Sequence, residues 1–181
     1  MPAVRLATPT TADREEFLAA VADSRALHAA WVTPPATAEA FERYLERTSR
    51  CDFAAFLVRR VDDGAAAGPI AGVINISNII GEPLSSAFLG FYAFEPQAGK
   101  GYMKAGLKLA LAHAFEQLGL HRVEANIQPE NIASIALVRR LGFRCEGFSP
   151  KYLRIAGEWR DHVRWALLAE EFAAASESAT N

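Results

Sequence analysis

The most constraining feature of this 181-residue chain is a strand-turn-helix pattern in the middle of the sequence. An aromatic run predicts a strand that ends at Phe94, and Gly99 and Gly101 then space a turn. A segment with helical apolar periodicity begins at Tyr102. This order directs backbone N–H groups and the positive end of a helix dipole towards one point, where glycine lets an anion approach closely. The pattern therefore predicts a phosphate-binding turn, although a glycine turn before a helix can also be only a tight connection.

Two common nucleotide-binding motifs do not fit this turn. Lys100 is followed by Gly101, where a P-loop requires serine or threonine. A dinucleotide-binding fold requires a third glycine and carries its turn after the first strand, whereas this turn lies in mid-chain. The phosphate-bearing ligand is therefore expected to be of another class.

The residues after the predicted helix indicate the family. Their order along the chain is a short alternating strand His121–Ile127, then Pro129, Asn131-Ile-Ala-Ser134 and Leu141-Gly142-Phe143. This order resembles the GCN5-related N-acetyltransferase (GNAT) superfamily, in which the glycine turn holds the pyrophosphate of acetyl-CoA. Segments that begin at Gly72, Gly99 and Tyr152 resemble the RimJ and RimL branch, which acetylates the N-termini of ribosomal proteins. The resemblance extends over about residues 3 to 168.

Two positions depart from the family pattern. Ala98 stands where the pattern Gln/Arg-x-x-Gly-x-Gly/Ala has a polar side chain, and Gln97 precedes that place by one residue. Because the backbone donors of the turn remain, phosphate binding is still expected. Lys151 precedes Tyr152, where RimL-type enzymes carry an acidic residue that is the proposed base. That role cannot be carried over to this chain.

The expected fold is α/β (α+β), with a single GNAT-type domain over residues 1–172 and a disordered tail over 173–181, which has little to bury. Strands joined by short turns should be antiparallel, whereas the two strands joined by the glycine-led helix should be parallel with a right-handed crossover. The central sheet is then mixed and mostly antiparallel, with helices on both faces. The resemblance implies that the parallel pair splays apart and that the pantetheine arm of the cofactor lies in the gap.

Periodicity and turn residues predict the individual elements. In chain order they are a strand Val4–Ala7, a helix from Thr10 or Thr11 to about Ala22, a short helix carrying Leu27 and Trp31, a helix opened by Thr37, paired strands Cys51–Val61 and Ile70–Ile80 joined by the turn-rich residues 62–69, the helix Tyr102–Leu118 ended by Gly119, and a hairpin of Leu153–Ile155 with Trp159–Leu167.

Composition limits the function classes. A hydrophobic content of 51% supports one domain with a sizeable core, and a net charge of −2 gives no reason to expect binding to nucleic acid or membrane. The N-terminus lacks a basic segment followed by an apolar run, which predicts a cytoplasmic protein. Cys51 and Cys145 are expected to be buried small hydrophobes, and no cysteine-histidine cluster has metal-ligand spacing, so no metal is expected. A homodimer is left open.

The resemblance implies a set of cofactor contacts. They are Ala93, Phe94, Ala98, Gly99, Lys100, Gly101, Tyr102, Met103, Asn131 and Ser134. A backbone N–H near Ala93 or Phe94 can polarise the thioester carbonyl. Ser134 is the candidate to protonate or hydrogen-bond the departing thiolate, with Tyr152 as the alternative acid. The residues alone equally allow Asn131 to be a helix N-cap, Ser134 a first-turn residue and Tyr152 an aromatic packed on the sheet.

The acceptor side is predicted from position in the chain. Arg25, His28 and Trp31 lie in the segment that covers the acceptor groove in this family, and Asn75 and Glu95 complete the predicted substrate-binding set. His28 can equally be a packing histidine, and Glu95, a candidate base through water, can equally be a solvated turn carboxylate. The run Arg160-Asp161-His162 recurs in the resembled branch, but it also fits an exposed, ion-paired face.

Proton accounting favours an α-amine as the acceptor. An α-amino group with a pKa near 7.7–8.0 is neutral in roughly a tenth to a sixth of molecules at pH 7, whereas a lysine amine is neutral in on the order of one in a thousand. We therefore expect acetyl-CoA-dependent acetylation of a protein N-terminus, alanine or a similar small residue. Alternatives are a small amine (amino acid, polyamine or antibiotic) and, because of Ala98 and Lys151, a non-catalytic acetyl-CoA-binding module.

Overall fold

Seven strands form one mixed sheet in the computed structural model, which describes residues 2–61 and 68–178. The strands are β1 (Val4–Ala7), β2 (Phe53–Arg60), β3 (Ile70–Ile80), β4 (Ser86–Ala93), β5 (Arg122–Ile127), β6 (Arg144–Ile155) and β7 (Glu158–Leu168). The helices are α1 (Arg14–Asp23), α2 (Arg25–His28), α3 (Ala38–Thr48), α4 (Tyr102–Ala112), α5 (Ile132–Arg140) and α6 (Ala169–Ser178). A 3₁₀ turn, Thr11–Asp13, leads into α1, and a π-helical turn, His113–Gln117, extends α4. None of the described helices is both long and apolar enough to cross a bilayer.

The sheet has the predicted strand directions. Its order is β1-β2-β3-β4-β5-β7-β6, with β4 and β5 parallel and every other neighbouring pair antiparallel. The parallel pair requires the crossover through α4, because parallel strands cannot be joined by a hairpin. The predicted fold class is therefore confirmed.

Several local predictions need correction. Helix α2 ends at His28, so Trp31 lies beyond it. Cys51 and Cys145 are exposed, because one lies in the turn before β2 and the other lies near the start of the edge strand β6. Helix α6 continues to Ser178, whereas the sequence predicts disorder from Ala173 onwards. The predicted turn at 62–69 lies mostly outside the described residues, and the domain boundary at residue 172 stays a prediction.

The sheet separates two hydrophobic cores. On one face, α4 packs Leu107 and Leu111 against the sheet, and both side chains are fully buried. On the other face, α1 and α3 contribute Phe17 and Phe41, whose ring centroids lie 4.8 Å apart. Burying each such side chain stabilises the fold by about 1.5–3 kcal/mol. Packing on both faces therefore holds the sheet rigid around its central strands.

The parallel pair β4 and β5 is joined over a short length only. Ser86, Ala87 and Phe88 pair with Arg122, Val123 and Glu124, and the register ends there although both strands continue. Beyond these three pairs the strands part, as predicted. The gap between them is the feature of the fold that positions the candidate site.

Helix α4 lies unusually close to the sheet at Gly106. A Cβ at this position would lie 2.7 Å from Cγ2 of Val58 on β2, and Val58 is fully buried. A valine side chain is stiff at χ1 and cannot swing away. The glycine therefore sets the distance between α4 and β2.

We predict that Gly106→Ala lowers the free energy of unfolding by about 1–3 kcal/mol, because the added methyl overpacks the core. In an unconstrained helix interior the same change would stabilise by about 1 kcal/mol. Thermal and denaturant unfolding measure the effect. Adding Val58→Ala should make room for the new methyl, so that the double variant loses less than the sum of the single losses. A raised melting temperature in Gly106→Ala would contradict the close-contact account.

Candidate functional site

A cavity of about 550 Å³ lies at the gap between β4 and β5. Its walls come from α2 and the residues after it, β4, the glycine turn with the start of α4, the end of β5, α5, and the β6–β7 hairpin. Nine of the predicted site residues line it: His28, Trp31, Ala93, Ala98, Gly99, Gly101, Met103, Asn131 and Ser134. The structure thus brings the predicted turn, strand end and helix start together at one cavity.

The glycine turn has the backbone shape that an anion site requires. Gly99 and Gly101 have φ values of +75° and +86°, in the left-handed region, and Gly101 is the N-cap residue of α4. Lys104, in the first turn of α4, and Arg140, at the end of α5, also line the cavity. A helix N-terminus beside two cationic side chains suits a ligand that carries phosphates.

The end of β4 corrects one predicted contact. The Phe94 amide donates to the Ala71 carbonyl on β3 at 2.9 Å, and the Phe94 side chain is fully buried. Phe94 is therefore occupied within the fold and does not line the cavity. Because backbone groups alternate along an antiparallel pair, the amides of Ala93 and Phe91 turn away from β3, towards the gap.

The start of α5 holds Ser134 in the cavity wall. Asn131 caps this helix, its Oδ1 accepting from the Ser134 amide at 3.1 Å. The N-cap interpretation of Asn131 is thus confirmed as a structural role. Within the described residues the Ser134 hydroxyl makes no hydrogen bond, and the residue is half-buried at the cavity. Its hydroxyl is therefore left to interact with a ligand.

Two side chains fasten the segment Arg25–Val32 across the gap. Nε2 of His28 donates to the Ala93 carbonyl at the end of β4, at 2.7 Å. Nε2 of Gln128, just after β5, donates to the Ala30 carbonyl at 2.9 Å. Both side chains are buried. One hydrogen bond to each parted strand thus fixes the wall that carries Trp31.

Three predicted substrate-binding residues lie away from the cavity. Arg25 is exposed. Asn75 accepts a hydrogen bond from the Tyr44 hydroxyl at 2.8 Å, which occupies its Oδ1 within the fold. Glu95 is exposed, with its amide donating to Oγ of Ser24 at 2.9 Å. Their predicted contacts with an acceptor therefore have no support in this geometry.

Three further predicted residues lie beside the cavity rather than in its lining. Lys100 is exposed. Tyr102 packs under the Arg60 guanidinium, whose Cζ lies 5.6 Å from the ring centroid. Tyr152 is 36% exposed and contacts the His162 ring at a centroid distance of 5.9 Å. The packed-aromatic interpretation of Tyr152 fits its position.

Several cavity residues were missed by the sequence reasoning: Phe91, Tyr92, Lys104, Asn126, Gln128 and Arg140. Asn126 alternates with the buried Ala125 and Ile127, so strand periodicity could have placed it on the opposite face. Lys104 is three residues beyond the turn glycine, within the first helical turn. Burial raises the pKa of the Tyr92 hydroxyl well above its ordinary value, which keeps it a neutral donor.

The run Arg160-Asp161-His162 on β7 was interpreted either as a feature of the resembled branch or as an exposed, ion-paired face, and its residues differ in which interpretation they fit. Arg160 pairs with Glu158 on the surface at 2.7 Å, and Asp161 accepts from the Lys151 amide at 2.7 Å. These two residues form the exposed, bonded face that one interpretation expects. His162 is instead buried and lines the cavity.

The chain belongs to the acetyltransferase (GNAT) domain family, whose model matches residues 3–144. It is 38% identical over 103 residues to the [ribosomal protein uS5]-alanine N-acetyltransferase of Escherichia coli, an alignment that covers 57% of this chain and 53% of that protein. The chain thus spans about half the length of the curated relatives it matches.

Solved structures share the fold over nearly the whole chain. Mycobacterium smegmatis RimJ, in complex with CoA-disulfide, superposes with a TM-score of 0.82 at 25% identity, covering 96% of this chain and 89% of that one. The spermidine N-acetyltransferase of Vibrio cholerae, in complex with CoA and spermine, has a TM-score of 0.78 at 18% identity, covering 94% and 98%. This second likeness is one of fold alone.

We predict that Gly99→Ala weakens binding of acetyl-CoA by at least tenfold, because a side chain at a left-handed φ forces the turn to reorient its amides. Gly119→Ala is the matched control. Gly119 also has a positive φ, +64°, and a Cβ at either glycine would have nothing within 4 Å, but Gly119 does not line the cavity. Isothermal calorimetry measures both. Equal affinity in the two variants would contradict a phosphate role for the turn.

Proposed function

We propose that this chain is an acetyl-CoA-dependent N-acetyltransferase whose acceptor is the α-amine of a protein N-terminus that begins with alanine or a similar small residue. The observation that carries the choice of acceptor is the charge of the cavity wall. Among the described residues that line it, the charged side chains are Lys104 and Arg140, and the rest are apolar, neutral polar or histidine. A phosphate-bearing donor and an acceptor with a single amine match such a wall.

Acetyl-CoA fits the cavity in three respects. The left-handed glycines and the two cations are suited to its pyrophosphate, and Ala98 still offers a backbone donor although it lacks a polar side chain. The gap between β4 and β5 is suited to an extended arm that hydrogen-bonds to strand amides. The volume of about 550 Å³ lies within the range of small-molecule sites.

The amides of Phe91 and Ala93 are the candidates to polarise the thioester carbonyl. Both turn towards the gap, and such a hydrogen bond strengthens as negative charge gathers on the carbonyl oxygen. Because the amides are fixed by the strand, they need no reorganisation when that charge appears. This replaces the expected contribution of Phe94, whose amide is already bonded to Ala71.

Ser134 is the candidate to supply a proton or hydrogen bond to the departing sulfur. Its hydroxyl has no partner among the described residues, and it lines the cavity. Tyr152 is the alternative, but it does not line the cavity and it packs on His162. The geometry therefore favours Ser134.

A polyamine is the alternative acceptor, since a spermidine acetyltransferase shares the fold. A polycation must lose water on binding, and carboxylates normally compensate that cost. Here the acceptor side of the cavity is formed by Trp31, Tyr92, Asn126 and Gln128 among others, with Lys104 and Arg140 as the formal charges of the described lining. This wall favours a peptide, whose backbone amides can bond to neutral polar groups.

We predict that a short peptide with a free N-terminal alanine is acetylated with a kcat/KM at least tenfold above that of spermidine. The same peptide, blocked at its N-terminus and carrying a free lysine, should also react at least tenfold more slowly than the free alanine peptide, because lysine is rarely neutral at pH 7. Release of CoA thiol measures all three reactions. Faster turnover of spermidine would favour the polyamine alternative. Acetyl-CoA binding with no turnover on any acceptor would favour the non-catalytic module.

We predict that Ser134→Ala lowers kcat by about 100-fold while the affinity for acetyl-CoA changes little, since general-acid assistance is typically of that size or larger. The variant should keep helix α5 intact, because Asn131 bonds to the backbone amide of residue 134 and not to its hydroxyl. Ser49→Ala, at the exposed end of α3, is the control. Unchanged kcat would assign Ser134 to helix structure only.

A further inference from the structure

The wall of the cavity formed by β7 contains an imidazole with a fixed tautomer. His162 is 3% exposed and lines the cavity. Its Nδ1 lies 2.9 Å from the Arg160 carbonyl, which can only accept, so Nδ1 carries the hydrogen. In the neutral ring, Nε2 therefore has the free lone pair, and among the described residues it has no hydrogen-bond partner.

The other imidazole in the cavity wall is held differently. His28 uses Nε2 to donate to the Ala93 carbonyl, and its ring packs edge-on against Tyr92 and Phe94 at 5.2 and 5.7 Å. Its remaining nitrogen, Nδ1, is buried from solvent with no partner. His28 therefore fastens the wall and cannot present a lone pair to an incoming amine.

Nearby carboxylates are also occupied or remote. Asp161 accepts from the Lys151 amide and is exposed, and Glu95 is exposed outside the cavity lining. Lys151 lies in the irregular part of the β6–β7 register, between Ser149 and Leu153, with φ at +48°. This irregularity separates Lys151 from its neighbours in the ladder, while Ser149 still pairs with His162.

We propose that Nε2 of His162 is the general base that accepts the proton of the acceptor ammonium. The proposal rests on the N-acetyltransferase function proposed above. It gives the proton a destination inside the cavity, which the side chain at position 151 does not provide.

The proton balance is complete with this base. One proton of R–NH₃⁺ moves to Nε2 of His162 and leaves a neutral amine. The amine nitrogen then forms its bond to the thioester carbon, the carbon–sulfur bond breaks, and the second proton passes to the CoA sulfur. His162 returns its proton to solvent. The net reaction converts R–NH₃⁺ and acetyl-CoA into the amide, CoA thiol and one released proton.

Tyr152 packs against the imidazole on the side that borders solvent. Its ring contacts His162 on one side and is 36% exposed on the other. It is the titratable side chain of β6 that packs against the imidazole. Across the sheet, β5 presents the uncharged Asn126. The other titratable or charged groups that share the cavity are His28 on α2, Tyr92 on β4, Lys104 on α4 and Arg140 on α5, with Arg164 two residues along β7.

The test is kcat/KM against pH, from about pH 5.5 to 9, with acetyl-CoA and a short peptide that begins with alanine. The wild type should lose activity on the acid side, where an imidazole gains a proton. His162→Gln should be about 100-fold slower near pH 7 and should approach the wild type at high pH, where the amine loses its proton unaided. His121→Gln, an exposed histidine outside the cavity, should leave the profile unchanged.

Acetyl-CoA affinity and the melting temperature serve as controls for folding. If His162→Gln does not fold, His162→Asn replaces it, because its amide keeps a donor near the Arg160 carbonyl. If the wild type turns over and the folded variant has the same pH profile, the role of His162 is overturned and the proposed function is not. A wild-type pH profile that follows only the ionisation of the peptide amine also overturns the role of His162. A wild type without turnover on any acceptor overturns the proposed function, and the role of His162 with it.

Discussion

The early end of the pairing between β4 and β5 is the constraint on which the rest of the molecule depends. Backbone groups buried without partners are costly, so a gap between strands must be filled by side chains or by a ligand. Here the Ala93 carbonyl is satisfied by His28, while the amides of Phe91 and Ala93 remain turned towards the cavity. The fold thus exposes the amide donors of Phe91 and Ala93 in a row and covers the Ala93 carbonyl. Such a row suits a ligand rich in carbonyl and phosphate oxygens.

Much of this arrangement could be predicted from the sequence. The turn at Gly99 and Gly101, the helix α4 and the parallel direction of β5 all follow from local patterns, because glycine, periodicity and crossover rules act over short distances. The choice between the Ala93 and Phe94 amides depends on the register with β3, which the sequence does not specify, and in the structure the Phe94 amide is bonded to Ala71. Trp31 was predicted in a helix that ends earlier, at His28, and it lies in the cavity wall.

The residues that sequence reasoning missed are those whose role depends on long-range contacts. Gln128 bonds to Ala30 across nearly a hundred positions, and nothing local at either residue indicates that bond. Arg140 ends a helix, where a basic residue is common for reasons of the helix dipole alone. Asn75 was predicted to bind substrate, but its side chain is bonded to the Tyr44 hydroxyl within the fold. Tertiary contacts decide which polar residues remain available for a ligand.

The β6–β7 hairpin carries both Lys151 and the proposed base His162. In the resembled branch an acidic residue occupies the position of Lys151, whereas here that residue lies in an irregular part of the ladder and bonds to Asp161 through its amide. Irregularities of this kind redirect side chains near sites. His162 pairs with Ser149 at the last regular position before the irregular segment, and the next residue, Val163, begins the ladder with β5. A base at His162 would therefore be positioned by a regular ladder pair, and not by the segment that carries Lys151.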